Sequence, residues 1–184
     1  ISLGLVGSEM CIRDRFIPYL SEEELQPEVA RMAQEIMRDH GASNPLFVSI
    51  LNGAFMFTAE LARQLDCEFD IAFAKYSSYA GLCSTGTLNE IMKPNISVEG
   101  RVVIILEDLV DTGFTVTELR KLYMERGAKE VHVAAMLSKP GALADCALPA
   151  EYVGREIPND FIVGCGLDYN GGGRMLRDIY VLKK

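Results

Sequence analysis

Two adjacent carboxylates and a short polar loop follow an apolar run in the middle of the chain. The run covers residues 102–106, the carboxylates are Glu107 and Asp108, and the loop contains Asp111-Thr112-Gly113. Ionised carboxylates only accept hydrogen bonds, so the pair fits the vicinal hydroxyls of a sugar. Unpaired amides where a loop enters a helix favour an anion such as phosphate. The segment predicts a ribose 5-phosphate site; the alternative is an acidic surface loop before an ordinary helix cap.

The full order of this segment is an apolar strand followed by Glu-Asp-x-x-Asp-Thr-Gly-x-Thr. It resembles the phosphoribosyl-pyrophosphate motif of the type I phosphoribosyltransferases. The similarity extends over most of residues 17–183 and is closest to the hypoxanthine-guanine branch. The resemblance implies a phosphoribosyl site formed by Glu107, Asp108, Asp111, Thr112, Gly113 and Thr115. It also implies that Asp111 is the general base, or proton partner, for N7 of a purine.

A lysine and an aromatic–aliphatic pair accompany two later apolar runs. Lys139 comes just after residues 131–137, and Phe161-Ile162 opens the run that leads to Asp168. From the residues alone, Lys139 reads as a solvated cation and Phe161 and Ile162 as core strand residues. The resemblance implies instead that Lys139 donates to purine O6, Phe161 stacks on the base and Ile162 offers main-chain groups to its edge. A buried donor facing O6 would select oxopurines over aminopurines.

Two further segments are similar to the pyrophosphate site of the family. Asn52-Gly53 resembles the short loop that binds pyrophosphate through backbone amides, often with a cis peptide bond. Some members carry lysine where Asn52 stands. Without that lysine, a metal and the backbone amides would have to neutralise more of the pyrophosphate charge. Arg174 is similar to the arginine that meets pyrophosphate, because a guanidinium suits phosphate geometry. The three glycines at 171–173 predict a flexible approach to Arg174.

The resemblance also implies a divalent metal and a mobile lid. Asp168 matches the aspartate that contacts Mg²⁺, directly or through water, and Glu107 and Asp108 are further metal candidates. Mg²⁺ prefers oxygen ligands and would neutralise a departing pyrophosphate. Ser78 and Tyr79 begin a polar, glycine-containing stretch similar to the loop that closes over the reaction. A lid of this kind would exclude water from a reactive cationic intermediate.

Apolar runs alternate with helical patterns along the chain, which predicts an α/β fold with a central, mostly parallel sheet flanked by helices. Strands are predicted at 46–51, 68–75, 102–106, 131–137, 161–163 and 179–182. A helix follows the capping box at Ser21 and ends at a left-handed Gly41, and a second helix covers 54–65. A third begins at a capping box of Thr115 and Glu118 and ends near Gly127. The resemblance adds a Rossmann-like phosphoribosyltransferase fold with a small hood lobe.

Composition narrows the possible partners. The chain has 184 residues and a formal net charge of −8, with no lysine–arginine cluster, so nucleic acid is a poor candidate. No apolar run approaches the roughly 20 residues of a membrane helix. Five cysteines without a Cys-x-x-Cys pair predict reduced thiols in a cytoplasmic protein. Two histidines far apart in sequence argue against a zinc site.

Residues 1–15 resemble no enzyme start, and we expect a non-native leader that is disordered or loosely packed. One phosphoribosyltransferase domain is expected over residues 16–184, with the hood built from both ends of the chain. By analogy with the family, we expect a homodimer or a homotetramer.

Three rival functions remain at this level. One is a phosphoribosyltransferase for xanthine, for guanine alone or for a pyrimidine. A second is a regulator that keeps the phosphoribosyl-pyrophosphate site without catalysis, although the acidic chain retains Asp111 and Lys139 and has no extra helix-turn-helix segment. A dinucleotide-dependent oxidoreductase is the third, and the absence of Gly-x-Gly-x-x-Gly after a strand disfavours it.

Overall fold

The computed structural model describes residues 15–65, 68–78 and 88–183. All of the expected leader except Arg15 lies outside these residues. The described strands are β1 (Phe16–Leu20), β2 (Leu46–Leu51), β3 (Asp70–Ser78), β4 (Leu88–Met92), β5 (Val102–Val110), β6 (Glu130–Ser138), β7 (Tyr152–Glu156), β8 (Ile162–Val163) and β9 (Ile179–Leu182). The α-helices are α1 (Glu22–His40), α2 (Phe55–Gln64) and α3 (Phe114–Glu125), and short 3-10 turns cover Gly41–Ser43 and Pro140–Ala142. None of the helices in these ranges is long and apolar enough to cross a membrane.

The larger sheet has six strands in the order β4-β3-β2-β5-β6-β7. β2 is parallel to β3 and β5, and β6 is parallel to β5 and β7, whereas β4 is antiparallel to β3 at one edge. The predicted mostly parallel sheet is therefore confirmed. The edge strands β4 and β7 were not predicted, because neither has the continuous apolar run of a strand buried on both faces.

Helices cover both faces of this sheet. On one face, Met32 and Ile36 of α1 pack with Phe57 of α2. On the other face, Leu119 and Tyr123 of α3 pack against the sheet. The central strands are buried between these layers, and each fully buried apolar side chain contributes about 1.5–3 kcal/mol. This packing holds the carboxyl ends of β2, β3, β5 and β6 at one edge of a rigid layer, which is where ligands of such sheets bind.

A smaller antiparallel sheet, in the order β1-β9-β8, joins segments from near the two ends of the chain. Phe16 pairs with Leu182, and Ile162 pairs with Val181. Phe16 and Val163 form its small core. This second sheet carries β8, and the segment that follows β8 returns to the carboxyl end of the larger sheet.

One of the two predicted boundaries of α1 is confirmed and the other needs correction. The Ser21–Glu24 capping box at the start of α1 is confirmed, with both reciprocal hydrogen bonds present. The left-handed end predicted at Gly41 is wrong, because Gly41 has φ −54° and continues into a 3-10 turn. The left-handed residue is Asn44, with φ 45°, three positions later. An asparagine suits this conformation because its short polar side chain tolerates positive φ.

Candidate active site at the carboxyl end of the sheet

The loop after β5 forms a cradle at the start of α3. Gly113 has φ +75°, and a Cβ there would crowd Leu143 and Ala147. Glycine is therefore required both by the backbone and by the space. Gly113 offers no side-chain cap to α3, and the Phe114 amide makes only a long contact of 3.5 Å with Thr112 Oγ1. A small cavity of about 100 Å³ lies beside this first turn. The cavity is lined by Glu107, Leu109, Val110, Asp111, Thr112, Gly113, Thr115 and Val116. Uncapped amides at a helix N-terminus form an anion site.

The capping box predicted at Thr115 and Glu118 is wrong. α3 begins at Phe114, so Thr115 already lies within its first turn. Glu118 instead accepts a hydrogen bond from Lys121 at 2.7 Å, one turn further along the helix. The absence of this box leaves the helix start open to an external anion. Thr115 lines the cavity, and its role as a phosphate ligand stays a prediction.

Both predicted sugar carboxylates lie on β5 itself, because the strand continues to Val110 rather than ending at residue 106. Successive strand residues point to opposite sides, and the two carboxylates accordingly have different surroundings. Glu107 lines the cavity at the start of α3, whereas a Cβ on Gly53 would overlap the carboxylate of Asp108. Asp108 therefore lies between β5 and the loop after β2.

Burial dominates the protonation of these two carboxylates. Only 7% of Glu107 is exposed, and burial, together with the neighbouring Asp108, raises its pKa well above the ordinary value. Burial also raises the pKa of Asp108, against the opposing effects of the Leu109 amide and Arg174. A cation or several hydroxyl donors arriving at this position would favour the ionised forms.

Asp111, which lines the same cavity, is bonded to Lys139. Lys139 Nζ donates to Asp111 Oδ2 at 2.9 Å. The Lys139 side chain is 6% exposed, and that of Asp111 is 46% exposed. The interpretation of Lys139 as a solvated cation is therefore wrong. The main chain holds the pair in place, because the Lys139 amide donates to the carbonyl of Val110 at 2.9 Å.

Phe161 and Ile162 divide between surface and core. Phe161 is 49% exposed, so its interpretation as a core residue is wrong. Its ring packs against Phe16 and Tyr169, with centroid distances of 6.1 and 5.8 Å. This aromatic group leaves part of the Phe161 ring open to a planar ligand. Ile162 is buried in β8, which confirms the core interpretation and leaves only its main chain for any ligand.

Asp168 and Arg174 are joined to each other. Asp168 Oδ1 lies 2.6 Å from Arg174 Nη2, and Asp168 Oδ2 accepts from the Gly171 amide at 2.8 Å. The structure thus places the predicted metal ligand and the predicted pyrophosphate arginine in one ion pair. For either residue to meet a ligand, the ligand must share or replace a contact of this pair.

The glycine-rich segment before Arg174 forms a tight hairpin. Tyr169 and Gly172 exchange main-chain hydrogen bonds of 2.9 and 3.0 Å. The two central residues, Asn170 and Gly171, have φ values of 51° and 82°. Asn-Gly with positive φ at both positions is the usual composition of such a turn. The flexibility expected for residues 171–173 stays a prediction.

The loop after β2 contributes Asn52 and Gly53 and one residue that the sequence analysis missed. The peptide bond between Leu51 and Asn52 is cis. Lys75, at the position of β3 paired with Leu51, donates to Asn52 Oδ1 at 3.4 Å. A cation therefore stands beside the loop whose own lysine is absent. The signal was present, because Lys75 ends the predicted strand next to β2, but the order of the strands was not known.

The predicted lid begins at the last residue of β3, Ser78. Its backbone pairs with Leu88 of β4, so the two ends of the intervening stretch lie together at the sheet edge. Tyr79 lies outside the described residues. The role of Ser78 and Tyr79 in closure stays a prediction.

The cradle, the two carboxylates and the Asp111–Lys139 pair lie on loops and strand ends at one edge of a parallel sheet. Together with the fold, they form a polar edge whose amides, cation and carboxylates fit an anionic ligand that carries hydroxyl groups. Residues 19–170 match the family described as "Phosphoribosyl transferase domain". The chain belongs to the phosphoribosyltransferase family.

Similarity to known members covers most of the chain. It is 37% identical over 166 residues to the hypoxanthine-guanine phosphoribosyltransferase of Streptococcus thermophilus, covering 89% of this chain and 91% of that protein. A structure of a Staphylococcus aureus hypoxanthine phosphoribosyltransferase superposes with a TM-score of 0.87 at 32% identity, covering 97% and 96% of the chains. A mutant Trypanosoma cruzi hypoxanthine phosphoribosyltransferase complexed with the product IMP gives a TM-score of 0.83 at 34% identity, covering 90% and 89%.

A longer relative shares the same region. The chain is 38% identical over 178 residues to the bifunctional protein TilS/HprT of Listeria innocua. The match covers 96% of this chain and 27% of that relative.

Proposed function

We propose that the protein is a hypoxanthine phosphoribosyltransferase of purine salvage. It transfers the 5-phosphoribosyl group of phosphoribosyl pyrophosphate to hypoxanthine, and also to guanine, giving IMP or GMP and pyrophosphate. The observation that carries this proposal is the buried Lys139 ammonium bonded to Asp111 at 2.9 Å beside the phosphate cradle. The names of the relatives, and the IMP complex of one of them, support the same substrates.

Lys139 supplies the base specificity. A buried ammonium has three donors, of which Asp111 uses one in the free chain. A 6-oxopurine offers an acceptor at O6 to a second donor of this ammonium. A 6-aminopurine instead presents an amino group, so that two donors would face each other. The exposed part of the Phe161 ring provides a stacking surface for the flat base.

Asp111 acts as the general base of the reaction. As purine N9 forms its bond to C1′ of the ribose, the bond from C1′ to the pyrophosphate oxygen breaks. The purine must then lose a proton from N7, and the 46% exposed carboxylate of Asp111 accepts it. The bond to Lys139 orients this carboxylate toward the base while the amides of the first turn of α3 hold the 5′-phosphate.

The carboxylates also fit a divalent metal. Glu107 and Asp108 have pKa values raised by burial, and Asp168 further raises the pKa of Asp108. Such a group of desolvated, mutually repelling carboxylates is relieved by a hard cation with oxygen ligands, which suits Mg²⁺. Asp108 and Asp168 would hold it together with substrate oxygens, and Glu107, on the other side of β5, would reach it only through a substrate hydroxyl. When bound, Mg²⁺ would supply charge neutralisation at the pyrophosphate.

Charge next to the loop after β2 adds to the pyrophosphate side. Lys75 lies beside Asn52, and Arg174 is held by Asp168. We include Asn52, Gly53, Lys75 and Arg174 in the pyrophosphate site, with the loop that begins at Ser78 as its lid. A homodimer or homotetramer in the cytoplasm belongs to the same proposal by analogy with the family, and light scattering of the purified chain tests the assembly.

Product formation from phosphoribosyl pyrophosphate and Mg²⁺ tests the function. Hypoxanthine, guanine, xanthine, adenine and orotate are supplied in parallel, and nucleotide and pyrophosphate are both measured. We expect turnover with hypoxanthine and guanine, and none with adenine or orotate. Turnover of orotate alone would replace the proposed base, and binding of phosphoribosyl pyrophosphate without turnover of any base would support the regulator.

A further inference from the structure

The other end of the larger sheet brings the two histidines of the chain together. His40 is the last residue of α1, and His132 is the third residue of β6. Their ring centroids are 4.2 Å apart, with an interplanar angle of 37°. The sequence separation of 92 positions gave no sign of this contact, so the expectation that the histidines are too far apart for a zinc site needs correction.

A carboxylate completes the group. Glu130 lies two positions before His132 on β6, and alternate strand residues share one face. Its Oε2 lies 3.3 Å from His132 Nε2, while its other oxygen faces Lys129 Nζ at 3.7 Å. One ligand atom from each of His40, Glu130 and His132 lies within 4.8 Å of the other two.

The spacing is close to that of a tetrahedral metal site. With bonds of about 2.0–2.2 Å, two ligands of a tetrahedral zinc ion lie about 3.3–3.6 Å apart. The Glu130–His132 distance of 3.3 Å already has this value. The remaining ligand atom, on His40, must approach by up to about 1.5 Å, which a side-chain rotation provides.

The backbone around the group is fixed by packing. The Tyr152 hydroxyl at the start of β7 donates to Asp39 Oδ2 at 3.0 Å, and its ring packs edge-on against His40 at 6.2 Å. These contacts tie the end of α1 to the sheet. The group stays accessible to an ion, because the side chains of His132 and Glu130 are 23% and 45% exposed.

The local electrostatics suit a cation. The carboxylates of Glu130, Asp39 and Glu151 are close enough to His40 to interact with it electrostatically, so the two imidazoles lie in negatively charged surroundings. Two imidazoles and one carboxylate, with negative charge nearby, form a donor set for a borderline transition metal rather than for Mg²⁺.

We infer that His40, Glu130 and His132 form a binding site for a divalent transition metal of the zinc class. The site lies at the amino end of β6, about 23 Å from the residue that follows its carboxyl end, at a rise of about 3.3 Å per residue. Three protein ligands leave one position open for water. The bound ion clamps the end of α1 to the start of β6, and it is separate from the phosphoribosyl site.

Calorimetric titration of the chain with Zn²⁺ tests this site. The chain is first freed of bound metal, and the titration is performed in millimolar Mg²⁺. Excess Mg²⁺ occupies carboxylate-only positions, and we expect one further equivalent of Zn²⁺ to bind. The variants His40→Gln, His132→Gln and Glu130→Gln each lower the affinity at least about tenfold, since even outer-shell changes commonly cost 10–100-fold. Glu118→Gln, at a surface glutamate likewise close to a lysine, is the matched control and keeps the wild-type affinity.

Cobalt separates this site from the cysteines without any variant. Co²⁺ on histidine and carboxylate ligands gives weak visible bands, whereas thiolate ligands add an intense near-ultraviolet charge-transfer band. We expect the visible bands alone at one equivalent. A thiolate band at the first equivalent, no Zn²⁺ binding in Mg²⁺, or an unchanged affinity in both histidine variants would overturn the inference.

Discussion

The two ends of β6 carry opposite kinds of chemistry on the same strand. At its carboxyl end, Lys139 bonds to Asp111 beside buried carboxylates and uncapped helix amides. At its amino end, His132 meets His40 and Glu130 beside the last turn of α1. The first end presents a buried ammonium and helix amides to an anionic substrate, and the second presents nitrogen and oxygen lone pairs to a cation.

This difference follows from the direction of the chain. In a parallel sheet the strands lead into helix N-termini at one edge, where amides are unpaired, and receive helix C-termini at the other, where carbonyls are unpaired. The loop after β5 therefore favours phosphate, and the end of α1 favours positive charge. The comparison shows that the backbone alone makes one edge of the sheet favourable for anions and the other favourable for cations. The side chains at each edge then add to this preference.

The largest expected effect concerns only the site at the carboxyl end of β6. Asp111→Asn removes the proton acceptor and should lower kcat by about 10²–10⁴-fold, the range typical of general acid–base catalysis. The KM for phosphoribosyl pyrophosphate should stay nearly unchanged, because the helix amides remain. Steady-state kinetics check both values, with the exposed Asp145→Asn as control. An unaltered kcat would refute the role of Asp111.

Replacing the partner of Asp111 separates the base from the sugar. Lys139→Met should raise the KM for hypoxanthine on the order of 10- to 100-fold, because hydrogen bonds to charged groups carry roughly 1.5–3 kcal/mol. Lys121→Met, at a surface ion pair, is the control. Kinetics with each substrate varied in turn measure the effect. If only the KM for phosphoribosyl pyrophosphate changes, Lys139 does not contact the base.

A smaller effect is expected at the residue that the sequence analysis missed. Lys75→Met should raise the KM for phosphoribosyl pyrophosphate about two- to fivefold, since a solvated ion contact is worth no more. The KM for hypoxanthine should not change. The double variant with Asn52→Lys should recover the lost affinity by restoring a cation at the same loop. Failure of that recovery would place Lys75 outside the pyrophosphate site.

The smallest effect, on stability, has opposite signs at the two ends. The folded-state pKa of Glu107 is raised, so the folded chain binds more protons and its stability falls as pH rises from about 4.5 through that pKa. The folded-state pKa of His40 is lowered, so stability instead falls as pH drops below 6.5 through that pKa.

Urea unfolding at several pH values checks this pair of slopes. Glu107→Gln should reduce the loss of stability on the alkaline side, where Asp108, whose pKa is also raised by burial, accounts for a further part. His40→Gln should reduce the loss on the acidic side. Each variant serves as the control for the other. If both variants alter the same side of the profile, at least one of the two assignments is wrong.

Local patterns were sufficient for the central parallel strands and for the polar loop that follows β5. The run at 102–106 and the loop around Gly113 carry their signals within one continuous segment. The edge strands β4 and β7 escaped prediction because they are short and partly polar. The contacts between Lys75 and Asn52, and between His40 and His132, depend on which strands and helices become neighbours, and no local pattern encodes that.

The exposure of individual side chains, such as Phe161 and Ile162, also could not be predicted from the sequence. Phe161 and Ile162 look equivalent in sequence, yet one lies at the surface and the other in the core, because β8 is a strand of two residues. The ion pair between Asp168 and Arg174 likewise depends on the hairpin at Asn170-Gly171, which folds the chain back on itself.

A crystal structure of the chain with IMP tests the central claim most directly. We predict the 5′-phosphate at the first-turn amides of α3, the purine against the ring of Phe161, and O6 within hydrogen-bonding distance of Lys139 Nζ. A phosphate bound elsewhere, or a purine whose O6 is remote from Lys139, would contradict the account.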